Sequence, residues 1–155
     1  MKRLNVLIAG FFIVAVLAAC TTGPREIQYG SDSCAHCLMT ITDPRFATQL
    51  VTEKGKVHLF DSVECLAAFE ENDVSPKVQR FVSDFERPGE FLLLNQAYLL
   101  RGEKLRSPMG LNLAAFSTTK NPEELAVHYG GEILTWKKVT KIVVNAWQQG
   151  QHHSP

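Results

Sequence analysis

What this chain lacks most plainly is an excess of charge: 16 Lys and Arg stand against 16 Asp and Glu in 155 residues, a formal net charge of zero. No basic run exceeds the pair Lys137-Lys138. Holding a phosphate backbone relies on clustered basic surface, so nucleic acid is excluded as a partner. Catalytic patterns are missing too. The residues form no Ser-His-Asp arrangement, Gly-rich phosphate loop or paired-carboxylate site, and the sequence reads as a protein that is not an enzyme. Sulfur is scarce, with four cysteines and three methionines. The single Cys-x-x-Cys has no matching second pair, which a structural zinc site of that kind needs.

What is present begins at the amino terminus. Lys2 and Arg3 precede an apolar run from Leu4 to Leu17, closed by Leu17-Ala18-Ala19-Cys20. A basic n-region, an apolar h-region and small residues before a break describe a secretory signal, too short and too one-sided in its flanks for a membrane-spanning helix. The Cys directly after Leu-Ala-Ala resembles the bacterial lipobox, in which that Cys is lipidated and becomes the new N-terminus. An ordinary signal peptide or an uncleaved anchor is the plainer alternative. Each buried methylene of such a lipid contributes about 0.8 kcal/mol, so several acyl chains make release from a membrane very slow. The expected organisation is a signal peptide at 1–19, a lipidated tether at 20–27, a domain at 28–147 and a flexible tail at 148–155. Cleavage before Cys20 leaves 136 residues with 14 basic and 16 acidic side chains, a net charge of −2. That length suits one domain facing the periplasm from the outer or cytoplasmic membrane.

Three cysteines then remain, Cys34, Cys37 and Cys65. Outside the cytoplasm an odd count leaves at least one thiol unpaired, buried or liganded. The stretch Asp32-Ser33-Cys34-Ala35-His36-Cys37-Leu38-Met39 gathers two thiols, a thioether and an imidazole in six positions. Four readings are open: a thiol–disulfide redox pair, half of a zinc site, a Cys34–Cys37 disulfide, and Cu(I) held by soft sulfur. The redox reading wants a helix opening at the second Cys, and Leu38-Met39-Thr40-Ile41-Thr42-Asp43-Pro44 is a poor helix. Read as a strand, residues 38–42 place Cys37 and Met39 on one face, able to converge on one ion. Met109, between Pro108 and Gly110 in a loop, is a candidate distal thioether. His36 and His58 are weaker metal candidates. Cys65, early in a helix, reads as a buried small thiol. Asp43 and Asp61 fit turn and cap positions, with a supporting role at a metal as the alternative.

The remaining periodicities give short elements. Strands are expected at 46–52 and 56–60 around the turn Lys54-Gly55. A helix capped at Asp61 or Ser62 follows through Asn72, then a strand at 78–85 ended by Arg87-Pro88-Gly89. The second half repeats this loosely: one or two strands in 91–100, a loop to Gly110, a strand at 111–116, a helix from Asn121-Pro122 to Gly130, and a strand at 132–136. Residues 139–147 form a helix or strand. The fold class is α+β, built from two similar hairpin–helix–strand units, about 28–88 and 89–147, packed together.

These residues, taken together, carry a resemblance. Cys20, the stretch Cys34-Ala35-His36-Cys37-Leu38-Met39-Thr40-Ile41, Asp43-Pro44-Arg45-Phe46-Ala47 and Lys56-Val57-His58-Leu59-Phe60-Asp61 open the series. Ala97-Tyr98, Ser107-Pro108-Met109-Gly110, Ala114-Ala115-Phe116 and Gly130-Gly131-Glu132 continue it. In that order they resemble the NosL family of copper-binding lipoproteins, linked to maturation of nitrous oxide reductase. The resemblance implies a Cu(I) chaperone that hands copper to an ABC-type maturation complex or to the reductase itself. Its Cys-x-Met element falls on Cys37 and Met39 and its Pro-Met-Gly loop on Met109; on this reading Cys37 and Met39 hold Cu(I), and Cys34 and Met109 complete or exchange the site. Many members carry Gly between that Cys and Met, where this chain has Leu38.

Overall fold

The computed structural model describes residues 23–71 and 77–151. The expected signal peptide, the lipidated Cys20 and the start of the tether lie outside the described residues.

β1 (Thr48–Thr52) and β2 (Val57–Phe60) form an antiparallel hairpin with Leu50 opposite His58. The chain then turns into α1 (Val63–Glu70), because Ser62 is in extended conformation and its hydroxyl oxygen accepts the Cys65 N–H, capping the first turn. β3 (Val78–Asp84) returns along the other edge of β1, and β4 (Arg87–Leu93) folds back on β3. After a short 3-10 turn, β5 (Ala97–Gly102) and β6 (Leu113–Ser117) pair antiparallel. α2 (Pro122–Tyr129) is capped by Asn121, whose side chain accepts from two amides, and stopped by Gly130 at φ +68. β7 (Gly131–Leu134) closes on the free edge of β5, and α3 (Trp136–Gln151) ends the described chain.

The strands make one seven-stranded sheet, ordered β2-β1-β3-β6-β5-β7 with β4 paired to β3. Two units of the same plan stand side by side in it: hairpin, helix, then a third strand on the first strand of the hairpin. They join where β3 runs parallel to β6 at Asp84 and Ala115. Alternation of side chains divides the core. Leu99, Leu113 and Ala115 meet α1 and α3 through Val63, Ala67, Val139 and Val143 on one face. Leu100, Ala114 and Phe116 meet Leu125 of α2 on the other. Gly131 is fixed by close approach, since a Cβ there would lie 1.8 Å from the Arg101 carbonyl oxygen.

Four expectations are corrected. Residues 38–42 form no strand: Leu38 has φ +65, outside the extended region, and only an isolated bridge joins Ser33 to Thr40. The unit division at 88/89 falls inside β4, whose Arg-Pro-Gly start reads as a turn in sequence but here begins a strand. The ambiguous stretch 139–147 lies in a helix that continues to Gln151, into the region expected as tail. Lastly, α1 ends at Glu70, short of Asn72, which lies outside the described residues.

Candidate metal centre

The loop that carries Cys34 and Cys37 is held from both ends. Gly30 N–H donates to Ile41 O at 2.8 Å and Ile41 N–H to Asp32 O at 2.9 Å, which makes a short two-stranded base. Asp32 accepts both Arg25 guanidinium nitrogens at 2.9 Å and the Gln28 N–H at 2.8 Å, pinning the outer side. Above the base the chain bends sharply. Cys34 N–H donates to Met39 O at 2.8 Å, and Leu38 N–H donates to Cys34 O at 3.1 Å. The bend needs a left-handed residue at its corner, and Leu38 supplies it at φ +65. Ala35 N–H donates to Leu59 O at 2.7 Å, which docks the loop on β2.

β2 and α1 bring two more donors. Asp61 follows the last residue of β2, and Cys65 is the third residue of α1; both are buried. Ligand atoms of Cys34, Cys37, Asp61 and Cys65 all lie within 4.8 Å of one another. An ion bound at about 2.3 Å by sulfur spans at most about 4.6 Å between two ligands, so this spread closes on one ion with a small contraction. All three cysteines are free thiols in this structure. The Cys37 thiol donates to Asp61 Oδ2 at 3.6 Å, while Asp61 Oδ1 is buried with no hydrogen-bond partner. A desolvated carboxylate oxygen without a partner is costly, and it points at a missing donor or cation.

The thiols are electrostatically unequal. Cys34 is lowered from an ordinary 9.0 to about 6, first because the Cys65 thiol donates to it. Backbone amides of Cys37, Asp61 and His36 add to that, and burial opposes it. Cys65 is driven up, first by holding the proton it offers Cys34, then by burial and by Asp61. Cys37 rises to about 11, chiefly through burial. Cys34 is therefore the thiol of the three that gives up its proton most readily, with a thiol and three amides directed at it. Thiolates are the metal-binding form, so Cys34 is the soft donor most easily formed.

Of the residues singled out in sequence, the fold brings Cys34 and Cys37 together. Met109 is half-buried against the apolar cluster that contains Cys34, Ile41, Cys65 and Leu66. Met39 is 47% exposed and Leu38 77% exposed, at the rim of the loop. Neither candidate imidazole belongs to the cluster. His36 stacks on Trp147, ring centroids 5.0 Å apart and planes 7° from parallel, and His58 lies against Phe69 at 4.9 Å. Burial and nearby Lys56 lower the His58 pKa. His36 contributes through its backbone amide instead.

Asp61 and Cys65 are the residues that sequence reasoning placed mainly elsewhere, Asp61 as a helix cap with a supporting role at a metal as the alternative, and Cys65 in the core. The signal was available: an N-cap at Ser62 puts the residue before it and the third residue of the helix at one end of α1. The odd cysteine count also asked for a place for Cys65.

The family model for NosL matches residues 25–144. The copper-binding lipoprotein NosL of Stutzerimonas stutzeri is 27% identical over 174 aligned positions, covering 98% of this chain and 90% of that protein. A crystal structure of the copper chaperone NosL from Shewanella denitrificans shares the fold with a TM-score of 0.65 at 24% identity, over 75% of this chain and 94% of that one.

Proposed function

The chain belongs to the NosL family, and we propose that it is a copper chaperone, lipid-anchored through Cys20 outside the cytoplasm, which delivers Cu(I) for assembly of nitrous oxide reductase. The observation that carries this reading is the convergence of three thiols and a carboxylate within 4.8 Å, with the Cys34 thiol held below its ordinary pKa by the donors around it. Soft sulfur ligands favour Cu(I) over hard cations. The names of the relatives, a copper-binding lipoprotein and a copper chaperone, support the same cargo.

In this reading Cys34 and Cys37 hold the ion, with Cys65 behind them and Met109 closing the site from the second unit. Met39, exposed and two residues from Cys37, is the donor that meets the outside. A thioether needs no deprotonation and binds weakly enough to be displaced, so it suits the position where an incoming ligand enters before another leaves. Binding through Cys37 releases a proton, and Asp61 Oδ2 already accepts that proton's hydrogen bond at 3.6 Å. The acceptor is an ABC-type maturation complex or the reductase itself. A membrane lipid on Cys20 confines the search for it to the membrane neighbourhood.

Anaerobic Cu(I) titration against a competing chelator tests this. A Cys37→Ala, Met39→Ala double variant is expected to lose affinity; wild-type affinity in that variant overturns the assignment. A thiol–disulfide oxidoreductase is the second reading, and the low pKa of Cys34 favours it. Its 1% exposure argues against it, since an attacking thiolate must reach a substrate disulfide. Turnover in a thiol–disulfide exchange assay would decide for it.

A further inference from the structure

Glu64 is a carboxyl with no part in the reading above, and it is completely buried. It precedes Cys65 on α1, and its Oε1 accepts the hydroxyl of Ser107 from the connection between β5 and β6. The other oxygen, Oε2, is buried without a hydrogen-bond partner. Burial raises its pKa, outweighing the Ser62 hydroxyl and the amides of Glu64 and Leu113, which also favour its charged form. A desolvated acid with one oxygen unpartnered is an expensive way to fill core space, so the bond it makes to Ser107 needs a purpose.

The connection it grips has two halves. The first is tied to the far side of the molecule: Glu103 N–H donates to Gly130 O at 2.9 Å, Lys104 N–H to Tyr129 O at 3.1 Å, and Leu105 is buried beside Leu125 of α2. The second half, which carries Met109, is organised by Ser107. Its hydroxyl oxygen accepts the Asn112 N–H at 2.9 Å while donating to Glu64, and its carbonyl accepts the Gly110 N–H at 3.0 Å. One side chain thus closes the turn around Met109 and fastens it to the helix that bears Cys65.

We propose that Glu64 and Ser107 are the positioning pair that holds the Met109 thioether at the thiol cluster across 43 residues of sequence. The inference rests on the reading of Met109 as a copper ligand. Neither residue touches the metal; their bond fixes where the loop sits before the ion arrives, so the thioether needs no ordering on binding.

The test is a double-mutant cycle read by Cu(I) affinity in chelator competition, on chains shown to be folded by circular dichroism. Ser107→Ala and Met109→Leu are each expected to weaken binding by about 10- to 100-fold, the range for residues that support metal ligands. The double variant should be no weaker than the worse single, because Ser107 acts through Met109. Ser107→Thr, which keeps the hydroxyl, should restore wild-type affinity. Glu64→Gln weakens the same bond while preserving its shape; its smaller loss must vanish in the Met109→Leu background, and this arm stands if Ser107→Ala fails to fold. Losses that add in the double variant overturn the proposal, as does unchanged affinity in Ser107→Ala while Met109→Leu is weakened. Unchanged affinity in Met109→Leu removes Met109 from the ligand set, and the positioning role falls with it.

Discussion

Replacing Cys65 by alanine should abolish the acidity of Cys34 without touching Cys34 itself. With a pKa of about 6 against an ordinary 9.0, Cys34 at pH 7.5 is roughly 97% thiolate where an unassisted thiol is roughly 3%. The gap corresponds to about 4 kcal/mol favouring the charged form. Its largest cause is the proton that Cys65 offers. Without it, burial is opposed only by the amides of Cys37, Asp61 and His36, and the pKa climbs back toward or past its ordinary value. Cys65→Ser keeps a donor and should keep Cys34 low. The assay is the ultraviolet thiolate absorbance of reduced, metal-free protein against pH. Wild type should gain one thiolate near pH 6 and another near pH 11 from Cys37. Stability should follow with a definite sign. Cys34 has its folded pKa below its unfolded one, so its contribution is complete above the unfolded value and lost as pH falls through about 6. Cys37 is shifted the other way, and its contribution is lost as pH rises toward about 11. A low wave that persists in Cys65→Ala would refute the reasoning, as would a wild-type protein in which nothing titrates below about pH 7.5.

Three further outcomes follow from the geometry. Asp61→Asn removes a buried, half-unpaired carboxylate beside Cys37, and Cu(I) affinity should fall by about 10- to 100-fold in chelator competition. Leu38→Gly relieves a left-handed strain of about 1–2 kcal/mol, offset by glycine's entropy of about 0.5–1 kcal/mol. Urea unfolding should find it neutral to about 1.5 kcal/mol more stable than wild type, and Leu38→Val less stable, because β-branching resists positive φ. Asn121→Ala deletes the cap of α2, far from the thiols, and should cost about 1 kcal/mol, read as a lower melting temperature with Cu(I) affinity unchanged.

Local chemistry was readable in the chain and tertiary chemistry was not. Ser62, Asn121-Pro122 and Gly130 announce helix ends through their own hydrogen bonds and dihedrals, and those helices lie where the residues place them. β4 was obscured because Pro88 reads as a breaker. Paired with β3 alone among the described residues, β4 is an edge strand that tolerates a residue without an N–H. α3 is rich in β-branched residues, and its helix is secured by burial of Val139 and Val143 against α1 and the sheet rather than by propensity. At the site, Cys34 and Cys37 are neighbours in sequence and were found together. Asp61 joins them from 24 residues on, and Cys65 from farther still, a convergence that β2 and α1 create and periodicity does not record. The strand argument for Met39 failed on one dihedral, since alternation assumes extended backbone and Leu38 is not extended.

The repeated plan of the sheet bears on where the thiols sit within it. The corner where β2 passes into α1 has a topological twin where β6 passes into α2, each introduced by a polar cap, Ser62 in one and Asn121 in the other. At the third helical position the first corner bears Cys65 and the second bears Glu124. The architecture thus offers the same strand-to-helix corner twice and furnishes only one with sulfur, so fold alone does not dictate the donor set. The unfurnished twin is a blank on which the thiols could be transplanted, a copy of the scaffold against which the ligands can be weighed inside the same molecule.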